Sequence, residues 1–174
     1  VIEEYPQVME SLRIVLMGKD FELRLVSLVI RSRELAEEVI LLDLGSSDGT
    51  VELAEKIDCR VLNHDGETHA PVLGSLLLKD NPTEFTLLVH INGRFKLRDL
   101  PLLVNRAKEN WDVHMSFISG ASDISNPQEV VYGDAELSHL AASVNGLEAI
   151  SKSENTQTPL ELDQNLKVRV LHSK

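Results

Sequence analysis

What this sequence lacks narrows its range of functions first. It has one cysteine, Cys59, so no disulfide can form within the chain, and a reducing, cytoplasmic setting is the expectation. Basic residues are outnumbered, 17 Lys and Arg against 28 Asp and Glu, for a formal net charge of −11. That balance argues against DNA, RNA or an anionic membrane as partner, since each is bound through clustered cations. No apolar run approaches the roughly 20 residues of a membrane span, and no basic-then-apolar leader opens the chain. The first residue is Val1 rather than Met, from which a missing N-terminal portion is expected. Glycine and proline are few, and no repeat, low-complexity tract or linker is visible. The six histidines form no HExxH-type pair that would mark a zinc site.

What remains is an ordinary globular composition, 43% hydrophobic and 26% charged over 174 residues. That length suits one domain, residues 1–174, able to bury roughly two-thirds of its unfolded surface. Strand and helix patterns alternate, which favours an α/β architecture with a mostly parallel sheet. Leu12–Met17 reads as the first strand. Phe21, Leu25, Leu28, Val29, Ser32 and Leu35 follow helical spacing, predicting one long helix over Phe21–Glu38. Reading Arg24–Ile30 as the first strand instead leaves too short a crossover before the next one. Strands are then predicted at Val39–Leu44, Cys59–Asn63, Glu84–His90 and Asp112–Ile118. Helices are predicted at Val51–Ile57, Ala70–Lys79 and Leu97–Asn110. Ser119–Gln128 reads as loop, Glu129–Tyr132 as strand and Asp134–Val144 as helix. Asn145-Gly146 reads as a turn into a short strand, Leu147–Ile150. Ser151–Thr158 is read as loop, Pro159–Leu166 as a helix opened by proline, and Lys167–Leu171 as the last strand.

The most informative segment runs from Val39 to Thr50. An apolar strand ends in an acid, a tight Gly/Ser/Asp turn and a helix start, the means by which α/β sheets build a nucleotide site at a strand's carboxyl end. It resembles the "VVDDGSSDGT" segment of the family 2 glycosyltransferases. Phe85–Val104 is similar to that family's "LLxLDADGRxxPEDLPxLV" region except for its acids. Asp112–Phe117 resembles its "aDvVxGsR" strand, and Asn145–Ala149 its "sGfrA" segment. The resemblance spans roughly Leu12 to Leu171. It implies a three-layer α/β/α sandwich with a mostly parallel central sheet, of the GT-A (nucleotide-diphospho-sugar transferase) type. A nucleotide-sugar, UDP-, GDP- or dTDP-linked, is the implied ligand.

By the same resemblance, Asp43 stands where the family's acid accepts hydrogen bonds from the base, a task suited to an acceptor-only carboxylate. Gly45, Ser46 and Asp48 form the turn beside it, and Glu22 fills the slot of the acid that frames base and ribose. Without the family, Asp43 and Asp48 could simply hold a turn, while Asp20 caps and Glu22 charges the start of the following helix. The family's metal-binding acid pair is His90 and Asn92 here. Mn²⁺ and Mg²⁺ prefer carboxylate oxygen, so a neutral His and Asn form at best a weak metal site. The second acid of the base-reading pair is Leu44. The diphosphate cradle, Gly66–Gly74, offers His69 and no Arg, while Arg94 and Lys96 could approach a phosphate from the strand-four loop. A general base for acceptor activation would come from Asp134, Glu136, Glu148, Glu161 or Asp163, and nothing singles one out. No catalytic residue is therefore assigned.

Losses at Leu44, at His90 and Asn92 and in the cradle all fall on chemistry, while the hydrophobic frame is intact. The reading drawn is a family 2-like domain that binds a nucleotide-sugar with weakened or lost catalysis. The alternatives are an active metal-assisted glycosyltransferase, a non-catalytic module acting through a homo-oligomer or protein partner, and an unrelated doubly wound domain with a chance match.

Overall fold

The structure, a computed structural model, describes residues 9–107, 109, 111–117, 137–152 and 165–172. The fold is α/β, with seven strands of a mostly parallel sheet and five helices among those residues. In chain order they are β1 (Met9–Gly18), α1 (Glu22–Arg33), β2 (Ala36–Asp43), α2 (Thr50–Lys56), β3 (Arg60–Asn63), α3 (Ala70–Lys79), β4 (Phe85–Ile91), α4 (Asp99–Ala107), β5 (Val113–Phe117), β6 (Leu137–Ser143), α5 (Val144–Ser151) and β7 (Val168–His172). No described helix is long and apolar enough to cross a membrane.

Two compact units divide the chain. One takes in residues up to Asp65 together with Leu87–Asn105; the other takes in Gly66–Thr86 and the chain from Arg106. In the first unit the strands run in the order β3-β2-β1-β4. β1 pairs parallel with β2, and β2 parallel with β3. Leu12 to Met17 are all buried without alternation, as expected of a strand covered on both faces. α1 forms because Leu25, Leu28, Val29 and Ser32 recur on one face and are buried there. Each fully buried Leu on that face contributes roughly 1.5–3 kcal/mol. The Ser32 hydroxyl is satisfied by donating to the Leu28 carbonyl oxygen at 2.6 Å.

In the second unit the order is β6-β5-β7, with β5 antiparallel to β6 and parallel to β7. α3 and α5 come close because Gly74 has no side chain: a Cβ there would stand 3.0 Å from the Ile150 side chain.

α3 coincides with its predicted span, and α2, β1, β3, β4, β5 and β7 lie within two to three residues of theirs. α1 ends at Arg33 rather than Glu38, because β2 already begins at Ala36. The helical and strand patterns overlap in Glu34–Val39, and pairing with β1 and β3 wins. Glu38 there meets Arg60 of β3 at 2.7 Å. α4 is also shorter than predicted, ending at Ala107 instead of Asn110.

Two predictions are overturned. Leu137–Ser143, inside the predicted Asp134–Val144 helix, is a strand, β6, and a helix begins only at Val144. Leu137, His139, Leu140, Ala141 and Ala142 are all buried, and a short run buried this continuously carries no periodicity to tell strand from helix. Asn145-Gly146 is likewise not a turn into a strand. It lies in the first turn of α5, where the Ser143 hydroxyl caps the helix by accepting from Gly146 N at 3.1 Å. Residues 165 and 166, assigned to the predicted Pro159–Leu166 helix, are turn and bend. The rest of that helix, the Glu129–Tyr132 strand and the Ser119–Gln128 loop lie outside the described residues.

Candidate functional site

Within the first unit, β2, β1 and β4 are consecutive, and their carboxyl ends line up. Gly18 at the end of β1 is in register with Asp43 at the end of β2. On its other side Gly18 meets β4 so tightly that a Cβ would stand 2.9 Å from the Ile91 carbonyl oxygen and 3.0 Å from the Phe21 ring. Only glycine admits that approach. Three loops, after Gly18, after Asp43 and after Ile91, therefore leave from one row of strand ends.

The loop after β2 is organised by Asp43. This carboxylate is 4% exposed. One of its oxygens accepts from Gly45 N and Ser46 N at 3.1 Å each, and the other accepts from the Ser46 hydroxyl. Gly45 has a φ of 96°, a backbone conformation that suits glycine. The carboxylate thus holds its own turn.

The remaining acids tie this loop to the one after β1. Ser47 N and Asp48 N donate to Asp20 Oδ1 at 2.6 and 3.2 Å, and Asp20 N donates to the Ser46 hydroxyl at 2.9 Å. Glu22 N donates to Asp48 Oδ2 at 3.2 Å, and Gly49 N donates to Glu22 Oε2 at 3.1 Å. Phe21 and Gly49, which precede α1 and α2, provide no side-chain cap. Asp48 therefore caps both helices, taking Glu22 N of α1 and, at 2.9 Å, Thr50 N of α2, while Glu22 takes the amide of Gly49 just before α2. The Thr50 hydroxyl, donating to Asp48, is the main cause holding that carboxyl below the usual carboxylate range. Asp20 does not cap α1, as sequence proximity suggests; its carboxylate serves the amides of Ser47 and Asp48.

The loop after β4 is anchored by Arg24 of α1, whose guanidinium donates to the Asn92 carbonyl oxygen at 2.8 Å and to that of Phe95. Asn92 Oδ1 accepts from Arg94 N at 2.9 Å and Phe95 N at 3.1 Å. Both lone pairs of that amide oxygen are in use. A hard divalent cation does not fit these donors: the Asn92 oxygens face N–H groups, the neighbouring His90 is half-buried, and no acid occurs from His90 to Arg98. Among the described residues no three His, Cys, Asp or Glu side chains come together as a metal site.

The five proposed nucleotide contacts, Glu22, Asp43, Gly45, Ser46 and Asp48, are thus brought into one hydrogen-bonded assembly. Sequence reasoning missed Arg24, and no local signal marks it, because its partners lie 68 and 71 positions along the chain. Of the candidate bases, Glu148 is exposed on α5 in the second unit, and the other four lie outside the described residues. His69 precedes α3 with its ring against the Glu67 carboxylate. Cys59 is buried, and desolvation pushes its thiol up, away from nucleophile character.

Comparison with solved structures places the fold. Glucosyl-3-phosphoglycerate synthase from Mycobacterium tuberculosis, solved with Mn²⁺, uridine diphosphate and phosphoglyceric acid, is similar over 93% of this chain and 68% of its own, with a TM-score of 0.54 and 15% identity. A protein of Desulfovibrio desulfuricans G20 described as a nucleotide-diphospho-sugar transferase is similar over 94% of this chain and 80% of its own, with a TM-score of 0.54 and 10% identity. No family model and no curated protein matches the sequence. The chain has the fold of the nucleotide-diphospho-sugar transferases.

Proposed function

We propose that this chain is a family 2-like GT-A domain that binds a nucleotide-diphospho-sugar at the row of strand ends formed by β2, β1 and β4, with glycosyl transfer weakened or lost. The observation that supports the reading is a pair of ordered acidic loops after β1 and β2 beside a β4 loop whose Asn92 side-chain oxygen is already in use. Asp20, Glu22, Asp43 and Asp48 hold the loops after β1 and β2 in place, whereas Asn92 spends its side-chain oxygen on its own loop. Asp48, partly exposed, keeps acceptor capacity beyond the bonds it makes, so a base or ribose donor of a nucleotide can add to it, while the buried Asp43 shapes the turn beside it.

A transferase of this type must stabilise a departing diphosphate, commonly through a bound cation. His90 and Asn92 do not provide the oxygens for one. What the residues do is narrower: they hold the strand ends, position a base and ribose, and present backbone and cationic groups at the β4 side.

Thermal-shift titration with UDP-, GDP- and dTDP-sugars, with and without Mn²⁺, tests the proposal. A ligand at 100 times its dissociation constant adds about 2.7 kcal/mol. For a chain of this length that raises the midpoint by roughly 5–11 °C. The expected result is a shift for one nucleotide class that Mn²⁺ barely changes. A shift seen only with Mn²⁺ and abolished by His90→Ala would establish the active, metal-assisted alternative instead.

A further inference from the structure

A chain of net charge −11 has to accommodate an anionic diphosphate, and its cations are not evenly spread. Three fall within five residues of the loop after β4: Arg94, Lys96 and Arg98, all exposed. Lys19, also exposed, follows Gly18, whose backbone abuts Ile91. None of these four side chains has an ion pair or hydrogen bond among the described residues. Arg31 and Arg60, by contrast, are paired with Glu34 and Glu38.

The loop carrying the three cations is held at fixed points. Arg24 grips the carbonyl oxygens of Asn92 and Phe95, Asn92 Oδ1 takes the amides of Arg94 and Phe95, and Asp99 Oδ2 takes Lys96 N at 3.0 Å. Along the strand ends, charge then runs from acid to base. Asp43, Asp48, Asp20 and Glu22 lie on the β2 and β1 loops, and Arg94, Lys96 and Arg98 lie on the β4 loop. A nucleoside diphosphate has the matching polarity, with N–H and O–H donors on base and ribose and acceptor oxygens on the diphosphate.

We infer that the loop after β4 is a metal-free diphosphate site, in which Arg94, Lys96 and Arg98, assisted by Lys19, neutralise the charge that a bound cation would otherwise offset. The inference rests on the nucleotide-sugar reading for the identity of its ligand. Arginine suits this task because its planar fork can hold two phosphate oxygens at once. Fixed cations near a surface attract a dianion without any metal, and the attraction weakens as salt screens it.

Isothermal titration of the intact chain tests this, using inorganic pyrophosphate and UDP, GDP and dTDP, each with EDTA in excess and again with Mn²⁺. The expected result is binding in EDTA, with Mn²⁺ changing the affinity by less than about twofold. Each of Arg94→Gln, Lys96→Gln and Arg98→Gln should weaken it about tenfold, the effect of one charge-assisted contact. Arg94→Lys should recover part of that loss, and circular dichroism should show all variants folded, since the replaced side chains are exposed. Nucleotide binding that requires Mn²⁺ and ignores the three substitutions overturns the inference while leaving the nucleotide-sugar reading standing. Pyrophosphate bound through these residues, with no nucleoside diphosphate bound more tightly, upholds the anion site and defeats that reading. No binding of any probe defeats both.

Discussion

Acid should unfold this protein through a buried pair of histidines in the second unit. His114 on β5 and His139 on β6 stack with ring centroids 5.1 Å apart, and their Nδ1 and Nε2 atoms lie 2.9 Å from one another. Both rings are buried. Desolvation first, then the neighbouring His114 and Arg106, push the His139 pKa down from 6.5 to about 3. His114 is lowered as well, mainly by burial. A histidine with a depressed folded pKa favours the fold in its neutral form. Its contribution is therefore complete above the unfolded pKa and is lost as pH falls from that value toward the folded one. Between pH 7 and pH 5, with His139 still neutral in the fold, linkage gives a loss of about 2 kcal/mol from this residue alone. Against a typical total of roughly 5–15 kcal/mol that is a large share. Urea melts of the wild type and of His139→Gln at pH 7 and pH 5 measure it. The wild type should lose about 2 kcal/mol more than the variant over that interval. Equal losses in the two proteins would refute the reasoning, since they would mean His139 titrates alike in the folded and unfolded chain.

Gly146→Ala should be among the most damaging single substitutions, because its Cβ would stand 1.8 Å from the Asp112 carbonyl oxygen, which is backbone and cannot swing aside. A loss of at least ~3 kcal/mol in urea melts is expected, in the range of severe overpacking. Gly45→Ala is the useful contrast: it has a strained φ of 96° but nothing within 4 Å, so only about 1 kcal/mol is expected. Asp48→Asn should lower the thermal midpoint at pH 7. The carboxyl is held below its ordinary 3.8, so its contribution is present above that value and disappears as pH falls through the folded pKa. The gap between wild type and variant in a melting series should close accordingly at acid pH.

The reach of the sequence can be judged from particular residues. Ala70–Lys79 is legible because Pro71 stands in its first turn, Leu73 and Leu77 recur at helical spacing, and Asn81-Pro82 follows its end. The turn at Asp43 was legible because its partners, Gly45 and Ser46, lie within three residues. What failed was either ambiguous or distant. Leu137–Ser143 is too uniformly buried to show a period, and Asn145-Gly146 carries a turn signature that the Ser143 cap overrides. Asp20 to Ser47, Glu22 to Gly49 and Arg24 to Asn92 span 27, 27 and 68 positions, separations at which composition and spacing are silent.

The crossed carboxylates of Glu22 and Asp48 have one more consequence. Asp48 takes the first amide of both α1 and α2, and Glu22 takes Gly49 N, so the two helix entrances share their acceptors. Loss of the Asp48 carboxylate would loosen both at once. A visiting molecule would meet two loops already tied to one another.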